Sequence, residues 1–279
     1  MKKVGYLIIN YNDYNTTKKL IDNIKNYKII DEIVVVDNAS LDNSKEELEK
    51  NEHITLIANE KNEGFAKAIN IGCKYLINKY KDIYICVSNS DIRIKEENDL
   101  KILINSFKDN IAIVGPIIKE PNEIVKGWPL TTVKEDIIMN IPLINRKYRN
   151  KLLKYPDDYY KGDITYVDMV KGCFFIIDSK ILEKVNYFDE NTFLYYEENI
   201  MAKKLQNKGF KTVINNKVTI YHDHEVSINK NINNINKYKI TKESFMYYEK
   251  EYNGATKFQL CIFKLLNILN LIAKIIRKK

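Results

Sequence analysis

Val4-Gly5-Tyr6-Leu7-Ile8-Ile9 is an apolar run of strand length, and it discharges at once into Asn10-Tyr11-Asn12-Asp13. A run without polar alternation reads as a strand covered on both faces, the type found in parallel sheets. Similar runs follow at 33–37, 54–58, 83–87 and 111–117. Between the third and fourth runs, Phe65, Ala68, Ile69, Gly72, Cys73, Leu76 and Ile77 recur at helical spacing and predict an amphipathic helix over 65–79. This alternation predicts an α/β fold with a mainly parallel central sheet and helices on both faces.

In such sheets ligands lie beyond the carboxyl ends of the strands. Polar clusters stand at three of those ends: Asn10-Tyr11-Asn12-Asp13, Asp37-Asn38-Ala39-Ser40 and Ser88-Asn89-Ser90-Asp91. Any one of them could simply cap the next helix. Three on one rim mark a site. From 119 to 163 the periodicity fades, interrupted by Pro121, Pro129, Pro142 and Pro156, and a loop-rich insertion is expected. Its Trp128, the only tryptophan, either packs or stacks on the face of a ligand. Order returns over 166–177, in a helix over 179–185, in a helix ending near Leu205 and in a strand over 210–214.

The 279 residues suit one large α/β domain, with or without a small appendix. Apolar content of 45% and charged content of 29% are those of a soluble globular protein. The net charge of +8 is uneven: no acid follows Glu251, whereas Lys257, Lys264, Lys274, Arg277, Lys278 and Lys279 do. The body is close to neutral, which argues against nucleic acid as a partner. Cys73, Cys86, Cys173 and Cys261 form no C-x-x-C pair, so zinc or redox chemistry is not indicated and reduced thiols in a cytoplasmic protein are expected. The amino terminus does not read as a signal peptide, and no stretch offers ~20 uninterrupted apolar residues. Signatures of dinucleotide oxidoreductases, P-loop enzymes and G-x-S-x-G hydrolases are missing.

The chemistry concentrates in Tyr195-Tyr196-Glu197-Glu198-Asn199, which follows Phe188-Asp189-Glu190. Acids opening a helix gain from its dipole, which is the ordinary explanation. Two carboxylates behind Phe193-Leu194-Tyr195-Tyr196 point instead to a general base, because apolar neighbours raise a carboxylate's proton affinity. Asp91, at a strand end, could reach a metal bridging two phosphates, or could belong to a turn before a helix over 95–107. His222 and His224 follow a strand-like 218–221, and an imidazole there could complete a metal sphere begun by Asp91 or be structural. A metal-held diphosphate facing a base, with the nucleoside held so that the anomeric carbon meets the acceptor, is what sugar transfer requires.

These residues, in this order, resemble glycosyltransferase family 2, the inverting GT-A enzymes, and within it the bacterial rhamnosyltransferase-like branch. The matching segments are Ile9-Asn10-Tyr11-Asn12, Val36-Asp37-Asn38-Ala39-Ser40-Leu41-Asp42, the run from Asn59 to Asn70, Asn89-Ser90-Asp91, Lys171-Gly172-Cys173-Phe174-Phe175, Phe188-Asp189-Glu190, Phe193-Leu194-Tyr195-Tyr196-Glu197-Glu198 and His222. The resemblance implies a nucleotide-sugar donor, dTDP-rhamnose or a UDP-sugar, held by Asn10, Tyr11, Asp37, Asn38, Asn62, Gly64, Phe65, Ser90 and Asp91. It implies Mg²⁺ or Mn²⁺ at Asp91 and His222. Glu198 falls where the family has its general base, with Glu197 as a substitute. Two departures stand out: Asn89 opens the D-x-D-like motif, and Glu replaces the usual Asp at the base. They keep alive a second reading, a catalytically impaired nucleotide-sugar-binding protein of the same fold.

We expect a catalytic domain over 1–228, with a nucleotide-binding part to about 118 and an acceptor-side part beyond, and a helical basic extension over 229–279. In the extension Lys264, Asn267, Asn270, Lys274 and Arg277 make one polar stripe on a mostly apolar helix. Such a helix can lie in a membrane interface, or pack on the domain or on a second subunit. The expected place is cytoplasmic, peripheral at the inner face of the cell membrane, with a glycan or lipid-linked saccharide as acceptor. A homodimer is left open.

Overall fold

Leu7 points to one side of its strand, Tyr6 and Ile8 to the other, and all three are fully buried. That is why the run lacks alternation: helices cover both faces. The computed structural model describes residues 2–142, 151–223 and 234–276. The first four strands are β1 (Lys3–Asn10), β2 (Glu32–Asp37), β3 (Thr55–Ala58) and β4 (Ile83–Asn89), paired in parallel in the order β3-β2-β1-β4.

Beyond β4 the sheet becomes mixed. In chain order come β5 (Ile92–Arg93), β6 (Ile111–Lys119), β7 (Ile124–Val125), β8 (Ile164–Val167), β9 (Phe174–Asp178) and β10 (Lys211–His222). The path continues β4-β9-β6-β10-β5, with β7 on β6 and β8 on β10. Six of these ten strands (β1, β2, β3, β4, β6 and β10) run one way; β9 runs against both of its neighbours, and β5, β7 and β8 are also reversed. A bulge between Asn215 and Thr219 splits β10. Its first half pairs with β8 and its end with β5.

One face of the sheet packs Leu7, Val34, Val36, Ile85 and Val87 under Ala68, Ile69, Cys73 and Leu76 of the helix Phe65–Tyr80. The other packs Tyr6, Ile8, Val35 and Cys86 against the helices Tyr14–Ile24 and Glu97–Ile104. With Ser44–Leu48 second in chain order, these helices are α1 (Tyr14–Ile24), α2 (Ser44–Leu48), α3 (Phe65–Tyr80) and α4 (Glu97–Ile104). A Cβ on Gly72 would stand 2.2 Å from a Leu7 methyl, so α3 rides directly on β1. All four cysteines are free.

The expected helix over 95–107 is shorter, because β5 and a turn precede it. The insertion over 119–163 is not only loop: it carries β7 and α5 (Val133–Asn140), which opens with a capping box between Thr132 and Glu135. Residues 143–150 lie outside the described residues. Trp128 pairs its backbone with Met169 and does not line the cleft described below. Then follow α6 (Ser179–Lys184), α7 (Glu197–Asn207), α8 (Asn234–Glu251) and α9 (Lys257–Ile276).

Candidate active site

The carboxyl ends of β1, β2 and β4 open into a cleft of about 340 Å³, closed on the far side by the 171–173 turn and the 193–198 segment. Asn38 organises one wall of the cleft. Its amide donates to Asn62 Oδ1 (2.9 Å) and the Gly64 carbonyl (3.3 Å), while its Oδ1 accepts from Asn59 Nδ2 and the Glu63 N–H, each at 3.0 Å. The loop so held ends at Gly64, whose φ of +82° suits glycine, and whose Cβ would strike the Phe193 carbonyl at 2.6 Å. The Phe65 N–H donates to that carbonyl over 2.9 Å. The two walls of the cleft are thereby stitched together.

Tyr11, Asn38, Asn62, Gly64, Phe65 and Ser90 line the cleft, as do Glu197, Glu198 and His222. Asn10, Asp37 and Asp91 do not. Asn10 Nδ2 donates to Asp37 Oδ1 over 2.6 Å, Thr17 Oγ1 donates to Asn10 Oδ1, and Ser40 gives both its N–H and its hydroxyl to Asp37. Both residues are buried behind the rim and spend their polar atoms on shaping it. Asp91 lies behind His222, in a second hollow shared with Lys19 and Arg93.

The pairing of β5 with the end of β10 sets His222 beside Ile92, and the Asp223 N–H donates to the Asp91 carbonyl. His222 Nε2 then faces Asp91 Oδ1 at 3.1 Å, and Nδ1 meets Glu120 Oε1 at 2.8 Å. Burial disfavours the imidazolium, but Asp91 and Cys173 outweigh it and hold the His222 pKa up to about 11. Glu120 also pairs with Lys171. Glu120 is buried and carries no motif that would single it out in the sequence. His224 lies outside the described residues.

The carboxylates sit where α7 begins. Tyr195 and Tyr196 both adopt left-handed backbone, with φ of +74° and +71°, which costs bulky residues of order 1–2 kcal/mol each. Tertiary contacts hold them. Asn70 of α3, buried mid-helix, accepts from the Phe188 N–H and donates to the Phe188 carbonyl and to Glu190. Ser244 of α8 donates to the Leu194 carbonyl over 2.8 Å, and Tyr196 packs on Phe245 and Tyr248. The extension is therefore a support for the site.

Glu197 is buried, and its Oε1 has no hydrogen-bond partner among the described residues. Burial, and then the charge of Glu198, push its pKa up to about 8. Burial also raises Glu198, opposed by the Gly172 N–H and by Lys171. The pair thus holds one carboxyl that keeps its proton near neutrality beside one whose ionised form has a donor and a cation nearby, a division suited to acid–base work.

Residues 6–185 match the family model described as glycosyl transferase family 2. Among curated proteins the chain is 25% identical, over 198 residues, to the low-salt glycan biosynthesis hexosyltransferase Agl10 of Haloferax volcanii, covering 70% of this chain and 59% of that protein. It is also 25% identical, over 205 residues, to the dTDP-rhamnosyl transferase RfbF of Shigella flexneri, covering 73% of this chain and 63% of that protein. The chain thus spans less than two thirds of either relative. Among solved structures it overlays on GalNAc-T7 with UDP, GalNAc and Mn²⁺, with a TM-score of 0.64, 16% identity, and 96% of this chain and 55% of that one covered. It also overlays on the mannosyltransferase PcManGT of Pyrobaculum calidifontis in complex with GDP-Man and Mn²⁺, with a TM-score of 0.58, 13% identity, and 95% and 70% covered. At such identities the likeness concerns the fold alone.

Proposed function

Since the chain belongs to glycosyl transferase family 2, we propose that it moves a sugar from a nucleotide-sugar donor to a glycan or lipid-linked saccharide with inversion, in cell-surface polysaccharide synthesis. The relative named a dTDP-rhamnosyl transferase supports dTDP-rhamnose as donor, and the hexosyltransferase relative supports a hexose, which a UDP-sugar would also supply. A lipid-linked acceptor would be met at the inner face of the cell membrane. The observation that carries the reading is one cleft lined by the Asn38-anchored loop, by His222 and by the pair Glu197–Glu198.

The residues fit a divalent cation. His222 Nε2 and Asp91 Oδ1, 3.1 Å apart, are close enough that the two side chains would hold one cation together. Glu120 on Nδ1 supplies the carboxylate partner that metal-bound imidazoles commonly have. A cation would replace the proton on Nε2. No group of three His, Cys, Asp or Glu side chains stands ready for a metal among the described residues, so diphosphate oxygens and water would complete the sphere. When bound, the cation neutralises charge on the departing diphosphate.

The chain's own residues do the rest. Tyr11, Asn62, Gly64 and Phe65 border the nucleoside, and Ser90 lies towards the phosphates. Glu198 takes the acceptor hydroxyl proton as that oxygen bonds to the anomeric carbon and the bond to the nucleoside diphosphate breaks. The Gly172 N–H holds Glu198 Oε1, leaving the other oxygen for the acceptor. Glu197, neutral beside it, keeps a second negative charge away from the base.

Glu198→Gln tests this. Transfer from a panel of nucleotide sugars with Mn²⁺ should fall by about a thousandfold, with nucleotide affinity within a few-fold of the parent. Unchanged transfer would sink the assignment of the base. Nucleotide binding without turnover in the unaltered protein would favour the binding-protein reading.

A further inference from the structure

An amphipathic helix ordinarily turns its apolar side to the body of the protein. Over much of its length α9 does the reverse. Asn270 Nδ2 donates to the Asn140 carbonyl of α5 over 2.7 Å, the Asn267 carbonyl accepts from Tyr238, and Phe263 packs edge-on against Phe245 of α8. The side facing solvent bears Phe258, Leu265, Ile268, Leu269 and Ile272, exposed by 75, 59, 56, 45 and 49%. At helical spacing these five side chains fall within an arc of about 100°. Lys257 and Lys264, both exposed, run along one border of that arc.

A continuous apolar face on a surface helix implies something that covers it. The charge says what. No acid follows Glu251, whereas six cations do, two of them beside the face. A mixed-charge protein partner would not call for such one-sidedness; anionic headgroups around an apolar interior would. Among the described residues no helix is long and apolar enough to cross a membrane, so α9 would lie along the surface.

We infer that the outward face of α9 seats the protein on an anionic lipid bilayer, with Phe258, Leu265, Ile268, Leu269 and Ile272 in the acyl boundary and Lys257 and Lys264 among the headgroups. The inference deepens the lipid-linked acceptor reading and rests on it for its purpose, though its geometry is that of α9 alone. The helix's inner side also reaches the site. Phe263 meets Phe245 edge-on, and Phe245 touches Tyr196 beside the paired carboxylates.

Co-sedimentation of the full chain with vesicles is the test, and it needs no sugar transfer. Vesicles of phosphatidylcholine mixed with phosphatidylglycerol should carry the protein down at low salt, and vesicles of phosphatidylcholine alone much less. Leu265→Asp/Ile268→Asp/Ile272→Asp should lower the bound fraction by on the order of tenfold or more with its thermal transition largely kept, because these three side chains already stand about half in water. Lys257→Glu/Lys264→Glu should lose the preference for phosphatidylglycerol. Failure of the full chain to pellet with the anionic vesicles would overturn the inference. So would a concentration-dependent dimer that the triple variant abolishes without any vesicle binding, since that face would then join two copies. Either result leaves the glycosyl-transfer reading standing, because Glu198→Gln tests that separately.

Discussion

The backbone N–H of Gly172 donates to Glu198 Oε1 over 3.0 Å, and a Cβ on Gly172 would stand 2.4 Å from that same oxygen. A turn between β8 and β9 and the first residues of α7 thus meet so closely that a side chain at 172 would have to push the Glu198 carboxylate aside. Gly172→Ala must displace the carboxylate. Turnover should fall about a hundredfold, since small misplacements of a catalytic group carry penalties of that size. Nucleotide affinity, measured by calorimetry, should hold. Parent-like turnover would mean that Glu198 is not fixed by this contact.

Glu197, with a pKa of about 8, is neutral below that value and adds a second negative charge above it. The rate should therefore rise with pH as Glu198 ionises and change again near pH 8. Glu197→Gln should keep the lower limb and lose the upper one. Retention of the upper limb in the variant would assign it to another group.

Glu120 holds the far nitrogen of His222 and is itself paired with Lys171. Loss of such a carboxylate partner typically weakens metal affinity by about 10–100-fold. Glu120→Gln should do so for Mn²⁺ in the presence of nucleoside diphosphate, as read from the free-Mn²⁺ signal in electron paramagnetic resonance. Equal affinity in the two proteins would remove Glu120 from this role.

Asp136 of α5 and Glu249 of α8 are buried close to each other, and Asn253 donates to both. Burial, and then Asp136, raise Glu249 to about 9. A carboxyl raised in the folded state contributes stability that is complete below its unfolded pKa and is lost as pH rises through the folded value. The melting temperature should therefore decline between about pH 5 and pH 9. In Glu249→Gln, whose amide can donate to Asp136, the decline should be shallower, leaving the variant a few °C more stable near pH 9. Parallel curves in a calorimetric pH series would count against a shared proton.

Much of the fold is legible in one dimension. Runs such as 4–9 and 33–37 are apolar without alternation because both faces of each strand are covered, and the 65–79 pattern is helical because one side of α3 meets β1. Polar clusters at three strand ends marked the rim of the cleft. Less visible was how those clusters divide. Asn10 and Asp37 serve each other behind the rim, whereas Asn38, one residue further along, holds the cleft loop. Neighbouring residues on a strand point to opposite sides, and residue type does not reveal which side carries the ligand.

Local spacing and polarity were enough to write down the alternating elements, the strand-end clusters and the paired acids at 197 and 198. Partners far apart in the chain needed the folded molecule: Asn70 for Phe188, Glu120 for His222, Gly172 for Glu198, and the turning of Asn267 and Asn270 inward so that the apolar side of α9 faces out. Periodicity records which residues share a side of an element. What that side meets depends on where the rest of the chain packs, and a hydrogen bond across a hundred residues leaves no trace in the spacing of either end.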